Sequence, residues 1–262
     1  MKKILIYLLY TFLLTYIAHG LLAFLTTNDY IDFYSFFGQF LFILGGSSPT
    51  IFAFIFILRK ANKEKKKQFK LRLLSFKHKP FFWVFAIVTP ILLGGIFQLS
   101  YLVFKNYPFV SSTPFYAFFL VLITSILFGG LEEIGWRGFL QEKLMKHNNL
   151  ILISIAIGII WGLWHIPLFF IKEVSHYSFE FLPFLLGAIM FSTYLTWLYK
   201  VTKSLLLVIL FHASINASAN IGLALIFKNS FLTYFLLIIL ISLGIGLLYI
   251  TQNKYDKENS KV

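Results

Sequence analysis

MKKILIYLLYTFLLTYIAHGLLAFL, Met1 to Leu25, sets the terms for the whole chain. Two lysines, Lys2 and Lys3, precede an apolar run long enough to cross a bilayer, which takes about 20 helical residues. The start has the form of a signal peptide. The run is too long for an ordinary h-region, however, and no clear small-x-small site follows it, so it reads as a retained first helix.

The same texture continues outward. The chain has 262 residues, of which 59% are hydrophobic and 13% charged. A soluble domain is closer to half apolar and a quarter charged. Apolar runs at Ile4–Leu25, Phe33–Leu58, Phe81–Phe104, Pro114–Leu140, Leu150–Ile171, Phe181–Tyr199, Ser204–Phe227 and Phe231–Ile250 predict eight spans. The expected fold is all-α: a polytopic bundle of about eight transmembrane helices forming a single membrane domain over residues 1–262. No soluble domain or internal repeat is visible. The chain has no cysteine, which excludes disulfides, thiol nucleophiles and cysteine metal sites.

Lysine and arginine placement gives an orientation. The segment 59–80 carries ten basic residues: Arg59, Lys60, Lys63, Lys65, Lys66, Lys67, Lys70, Arg72, Lys77 and Lys79. With the N-terminus inside, these fall on the cytoplasmic side together with Lys2, Lys3, Lys143, Lys146, Lys200, Lys203, Lys254, Lys257 and Lys261. Only Lys105, Lys172 and Lys228 fall opposite. Eight spans then place both termini in the cytoplasm. The net charge of +13 is thereby largely a topology signal, with segment 59–80 lying on anionic lipid head groups. Nucleic acid is not an expected partner, because no aromatic-interleaved basic motif or soluble recognition fold accompanies the charge.

Of ten acids, only Glu132 and Glu133 fall well inside a span, in GGLEEIGWRGFL (Gly129–Leu140). An ionisable group at membrane depth is costly and marks a functional site by default. Glu133 and Arg137 are four residues apart and can pair along one helix face. Glu132 points about 100 degrees away and is left without a partner in its own helix. A helix-anchoring ion pair explains Glu133 and Arg137 but not Glu132.

Three histidines are placed at membrane depth: His19, His165 and His212. His19 lacks a polar companion at helical spacing and reads as a packing residue. His165 stands in WGLWHIPLF, and His212 in FHASINASAN with Asn216 and Asn220 following at helical spacing. Hydrogen bonding between helices accounts for Asn220. Glu132, His165, His212 and Asn216 together are the parts for hydrolysis. A carboxylate beside an imidazole can take a proton from water, and an imidazole with an amide can stabilise an oxyanion.

These motifs resemble those of the CPBP intramembrane proteases, also called the Abi or CAAX prenyl-protease family. EEIGWR fits Glu-Glu-x-x-x-Arg; WGLWH fits an aromatic residue with histidine four positions on, with Trp161 where phenylalanine is common; and HASIN fits His-x-x-x-Asn or Asp. The match covers Glu132 to Asn216, in a motif-bearing core of about 114–227. The resemblance implies a membrane protease whose polar cavity opens towards the cytoplasm. It implies that Glu132 and His165 activate water, that His212 and Asn216 form the oxyanion site, and that Glu133 and Arg137 support them. The implied partner is a membrane-embedded or lipid-anchored peptide or protein. Eukaryotic relatives trim prenylated proteins, and bacterial ones are linked to bacteriocin immunity and peptide maturation. A composition rich in Lys, Ile, Phe and Asn points to the plasma membrane of an AT-rich bacterium, where a prenylated substrate is not expected. If zinc were used, Glu132, His165 and His212 would be its ligands. That would leave as base only Glu133, already paired with Arg137, so a metal-free mechanism is preferred. The alternatives are a non-catalytic immunity or scaffold protein that binds a peptide, and a proton-coupled transporter lined by the same residues.

Two expectations concern geometry. Glu132 comes out roughly 12 Å from the end of its span and His165 roughly 24 Å deep in its own, so helix four should extend past Leu140 through Lys146. GGSSPT (Gly45–Thr50), and Pro90 with Gly94 and Gly95, should kink their helices. Either kink admits a substrate sideways or simply serves close packing.

Overall fold

The computed structural model of the chain describes residues 2–59, 61–107, 113–145 and 149–259. Lys60, Lys146 and Lys261 of the basic segments lie outside them. Every regular element among the described residues is helical. In order these are α1 (Lys2–Thr27), α2 (Phe36–Gly46), α3 (Ser48–Leu58), α4 (Lys63–Leu74), α5 (Pro80–Lys105) and α6 (Ala117–Leu127). A broken segment follows, containing α7 (Glu133–Gly135) and α8 (Glu142–Leu144). The chain ends with α9 (Leu150–Trp164), α10 (Phe181–Thr202), α11 (Leu205–Asn220) and α12 (Phe231–Asn259). Side chains of Ser35, Asn62, Asn149 and Ser204 accept from the backbone N–H three residues on and start α2, α4, α9 and α11.

All eight predicted spans are helical, but they are not eight full crossings. Among the described residues six helices are long and apolar enough to cross a bilayer, or seven if the bent α2–α3 pair is counted. The eighth, α11, is a shorter apolar helix of 16 residues. The α2–α3 bend is 50° and falls at GGSSPT. Pro49 opens α3 there. The Gly45 carbonyl at the break accepts from Thr15 Oγ1 on α1 at 2.8 Å, and the Ser48 side chain donates in turn to Thr11 O of α1 at 3.1 Å. In contrast, Pro90 sits within a continuous α5. Gly94 on that helix lets the Leu223 carbonyl come against the backbone, where a Cβ would collide with it. Outward faces carry many exposed large apolar side chains, among them Leu5, Leu99, Phe119, Phe231 and Ile250, as lipid contact requires. The chain is an integral membrane protein.

The two ends of the bundle differ. At one end Glu142 Oε1 lies 3.0 Å from Lys203 Nζ and 3.6 Å from Arg72 Nη1, while Leu150 N donates to Gln252 Oε1 at 3.4 Å. This is the basic end, where α4 packs. At the other, Glu180 accepts from Asn229 N at 2.7 Å, Glu180 N donates to Phe227 O at 2.9 Å, and Tyr101 Oη lies 2.6 Å from Ser230 Oγ. The helix bearing the two glutamates runs past Leu140 to Leu144, at the basic end.

Candidate active site

The glutamate motif is built on broken helix. α6 stops at Leu127, and Gly129 takes φ +146°, open only to glycine. A Cβ there would collide with Asn216 Nδ2 and stand 3.4 Å from His212 Nε2. Two side chains of α11 therefore converge on the backbone just before Glu132. The chain resumes as a 3₁₀ turn (Gly130–Glu132), α7, and a six-residue π-helical stretch, Trp136–Gln141, every residue of which is buried. Such π segments are rare and concentrate at functional sites.

Glu133 and Arg137 are both fully buried and form the expected pair, with Arg137 Nη1 at 3.1 Å from Oε1 and 2.8 Å from Oε2. Each has a second partner that spacing did not announce. Arg137 Nη2 donates to Ser192 Oγ at 3.1 Å, and His212 Nδ1 lies 2.8 Å from Glu133 Oε1. Glu132 faces elsewhere. Its Oε2 accepts from Trp161 Nε1 at 3.0 Å and from Trp136 Nε1 at 3.4 Å. The expectation that Glu132 lacks a partner in its own helix is thus corrected, because Trp136 four residues on supplies an indole N–H.

His165 follows the last residue of α9, and its Nδ1 lies 2.7 Å from Trp161 O. A carbonyl only accepts, so Nδ1 carries the hydrogen and the neutral ring keeps its lone pair on Nε2. Four rings enclose the imidazole: Trp164 at 4.7 Å, Trp161 and Phe184 edge-on at 5.3 Å, and His176 stacked at 5.3 Å and 14°. Trp161 is the hub. Its ring also lies 5.2 Å from that of His212 and 5.9 Å from Arg137 Cζ. Two features bear on the depths of Glu132 and His165: helix four extends to Leu144, and Trp161, one turn before His165, reaches Glu132.

Glu132, His165, His212 and Asn216 line one cavity of about 270 Å³; Glu133 and Arg137 stand behind its wall. Two other histidines line it as well. His19, expected to pack, places Nε2 2.9 Å from Phe42 O. His176, which the sequence did not single out, is carried there by the 3₁₀ turn Ser175–Ser178. Burial, with the charge of His19, pushes the His176 imidazole down to about 4. Nothing in the spacing points to His176, since a non-helical loop folds it back. Asn220 does not bridge helices: it is exposed and donates to Asn216 O at 2.9 Å.

The cavity is not at the basic end. Its loop lining, including Ser175, His176, Phe179 and Phe227, belongs to the opposite end. α9 begins at the basic end, and His165 stands beyond its far end.

The Glu132, His165 and His212 set was tested against zinc. Each histidine uses Nδ1 on a protein oxygen, which is the supporting shell a metal-bound imidazole has. All three line one cavity, but not in the grouping a metal needs. The Trp161 ring stands against both imidazoles, and among the described residues no three histidine, aspartate or glutamate side chains are grouped to hold a metal ion. As placed, the set does not fit zinc.

The architecture and site are those of a polytopic helical membrane protein with a buried carboxylate–imidazole cluster. Residues 113–218 match the family model described as Type II CAAX prenyl endopeptidase Rce1-like. The chain is also 31% identical over 238 residues to CAAX prenyl protease 2 of Methanococcus maripaludis, covering 82% of this chain and 83% of that protein. The chain belongs to this family of CAAX-protease-type intramembrane endopeptidases.

Proposed function

We propose that the cavity hydrolyses a peptide bond of a membrane-associated, lipid-bearing substrate with water activated by Glu132 and His165. The observation that carries this is the placement of Glu132, His165, His212 and Asn216 around one cavity whose other walls are mostly apolar. Glu132 Oε2 is occupied by indoles, so Oε1 is left for water. His165 Nε2 is free to share the proton and pass it to the leaving amine. His212 and Asn216, converging over Gly129, take the oxyanion. With His212 doubly protonated the charges cancel: two carboxylates against a guanidinium and an imidazolium. Glu133 and Arg137 hold His212 and the π segment in place.

The Methanococcus relative is named a prenyl protease, so a prenylated cysteine is the first lipid to try. The test uses purified protein and two reporter peptides that end in the same four residues, one farnesylated on cysteine. Release of the last three residues from the farnesylated peptide by wild type, and not by Glu132→Gln, supports the reading. Equal cleavage by both proteins removes it. Metal analysis is a separate arm. Stoichiometric zinc, with activity lost to chelator and restored by zinc, would overturn the metal-free route.

Segment 59–80 is proposed to bind anionic lipid. On α4, Lys67, Lys70, Leu71 and Leu74 share an exposed face while Phe69 is buried. Lysines reaching phosphates contribute about 1 kcal/mol each near a charged surface. Lys65, Lys66, Lys67 and Lys70 changed to Gln should abolish preferential retention of phosphatidylglycerol over phosphatidylcholine during purification.

A further inference from the structure

We infer that α1 and the α2–α3 break form a brace that fixes Glu132 relative to His165, with Thr50 and Thr15 as its positioning residues. The effect on turnover rests on the proposed function; the bonds of the brace do not.

The three motifs begin at Glu132, and the family model matches residues 113–218. The helices before them are nonetheless bonded to both halves of the site. In the first turn of α3, Thr50 Oγ1 donates at 2.6 Å to Leu131 O, the carbonyl of the residue before Glu132. The break is also pressed against the next turn of the glutamate segment, where a Cβ on Gly135 would collide with the Pro49 carbonyl. Tyr7 Oη of α1 donates to that same carbonyl at 3.3 Å.

The other half is held through α1. Trp164 Nε1 donates to Thr15 Oγ1 at 2.7 Å, and Thr15 Oγ1 donates onward to Gly45 O at the break. Tyr16 Oη, next along α1, donates to Leu163 O at 2.7 Å. Trp164 immediately precedes His165, and its ring stands edge-on 4.7 Å from the imidazole. The break at GGSSPT is therefore bonded at Thr50 towards the residue before Glu132, and through Thr15 towards the residue before His165. Thr15 and Trp164 are both buried, so water does not compete for their bond. The glutamate segment is broken helix with Gly129 at φ +146°, and a donor from outside can hold it where its own ladder is interrupted. A misplacement of about 1 Å can cost roughly 10²-fold in rate.

The test compares Thr50→Val and Thr15→Val, which delete a hydroxyl, with Thr50→Ser and Thr15→Ser, which keep it, all in the full-length protein. One readout needs no substrate. The Trp161 indole N–H is bonded to Glu132, so its NMR resonance, assigned with Trp161→Phe, reports where that carboxylate stands. Thr50→Val is expected to shift this resonance, and Thr50→Ser to leave it near its wild-type position. The second readout is turnover of the farnesylated reporter peptide. Each valine variant is expected to lose about tenfold or more in kcat with little change in KM, and each serine variant to recover most of it. A Trp161 resonance unmoved by Thr50→Val overturns the inference. So does wild-type kcat in either valine variant, or a serine variant that falls as far as its valine counterpart. Full activity of Glu132→Gln would remove the proposed chemistry yet leave the resonance shift in place, so the two failures are distinguishable.

Discussion

His212 Nδ1 stands 2.8 Å from Glu133 Oε1, joining the third sequence motif to the second glutamate of the first across 79 residues of chain. Glu133 is thereby shared between Arg137 on its own helix and an imidazole on α11. The adjacent glutamates divide their tasks by direction. Glu133 is sealed among its partners, and Glu132 looks into the cavity.

Arg137→Leu leaves Glu133 buried without its cation. Breaking a buried pair from one side costs about 3–5 kcal/mol. Thermal unfolding in detergent should show a large loss of stability. Arg137→Lys should rescue it only in part, because one ammonium cannot copy the guanidinium fork between Glu133 and Ser192.

Trp161→Phe keeps a ring between the two histidines but deletes the N–H on Glu132. A hydrogen bond to a charged group is worth roughly 1.5–3 kcal/mol, so turnover should fall about tenfold or more while KM changes little. An unchanged turnover number would show that the indole does not position Glu132.

Gly129→Ala introduces a Cβ at φ +146° against Asn216. Backbone strain of this kind costs about 1–3 kcal/mol. Since the methyl displaces Asn216 from its place beside Gly129, activity should drop further than stability does. Comparing melting temperature with turnover separates the two effects.

His176 is lowered to about 4 in the folded protein, from an ordinary value of 6.5. Between those values the unfolded chain binds more protons at this residue, so its contribution makes stability rise with pH from about 4 to 6.5. His176→Phe should flatten that part of a pH–melting curve. A wild-type slope that survives the substitution assigns it to other groups.

Much of this was legible before the structure. Length and apolarity placed the eight apolar segments but not the basic helix α4, and i,i+4 spacing gave the Glu133–Arg137 pair. What escaped was whatever depends on irregular backbone. A helical wheel drawn through Glu132 assumes a straight helix, but Gly129 breaks it and the π stretch resets the phase after Trp136. Trp136 was nevertheless within reach, four residues from Glu132. His176 was not, because its approach to His165 depends on a loop that folds back. α11 read as a full span because the apolar sequence continues to Phe227, while the chain leaves the helix at Asn220 and turns at Gly222 with φ +85°.

The central claim is that Glu132 acts on water in a proteolytic cavity. The direct measurement compares new protein termini in membrane and secreted fractions of cells expressing wild type or Glu132→Gln. A positioned general base contributes typically about 10²–10⁴-fold, so termini generated by this protein should be present with wild type and absent with the variant at equal expression. Identical termini from both, with any resistance or signalling phenotype intact in the variant, would contradict the account and leave a protein that works by binding.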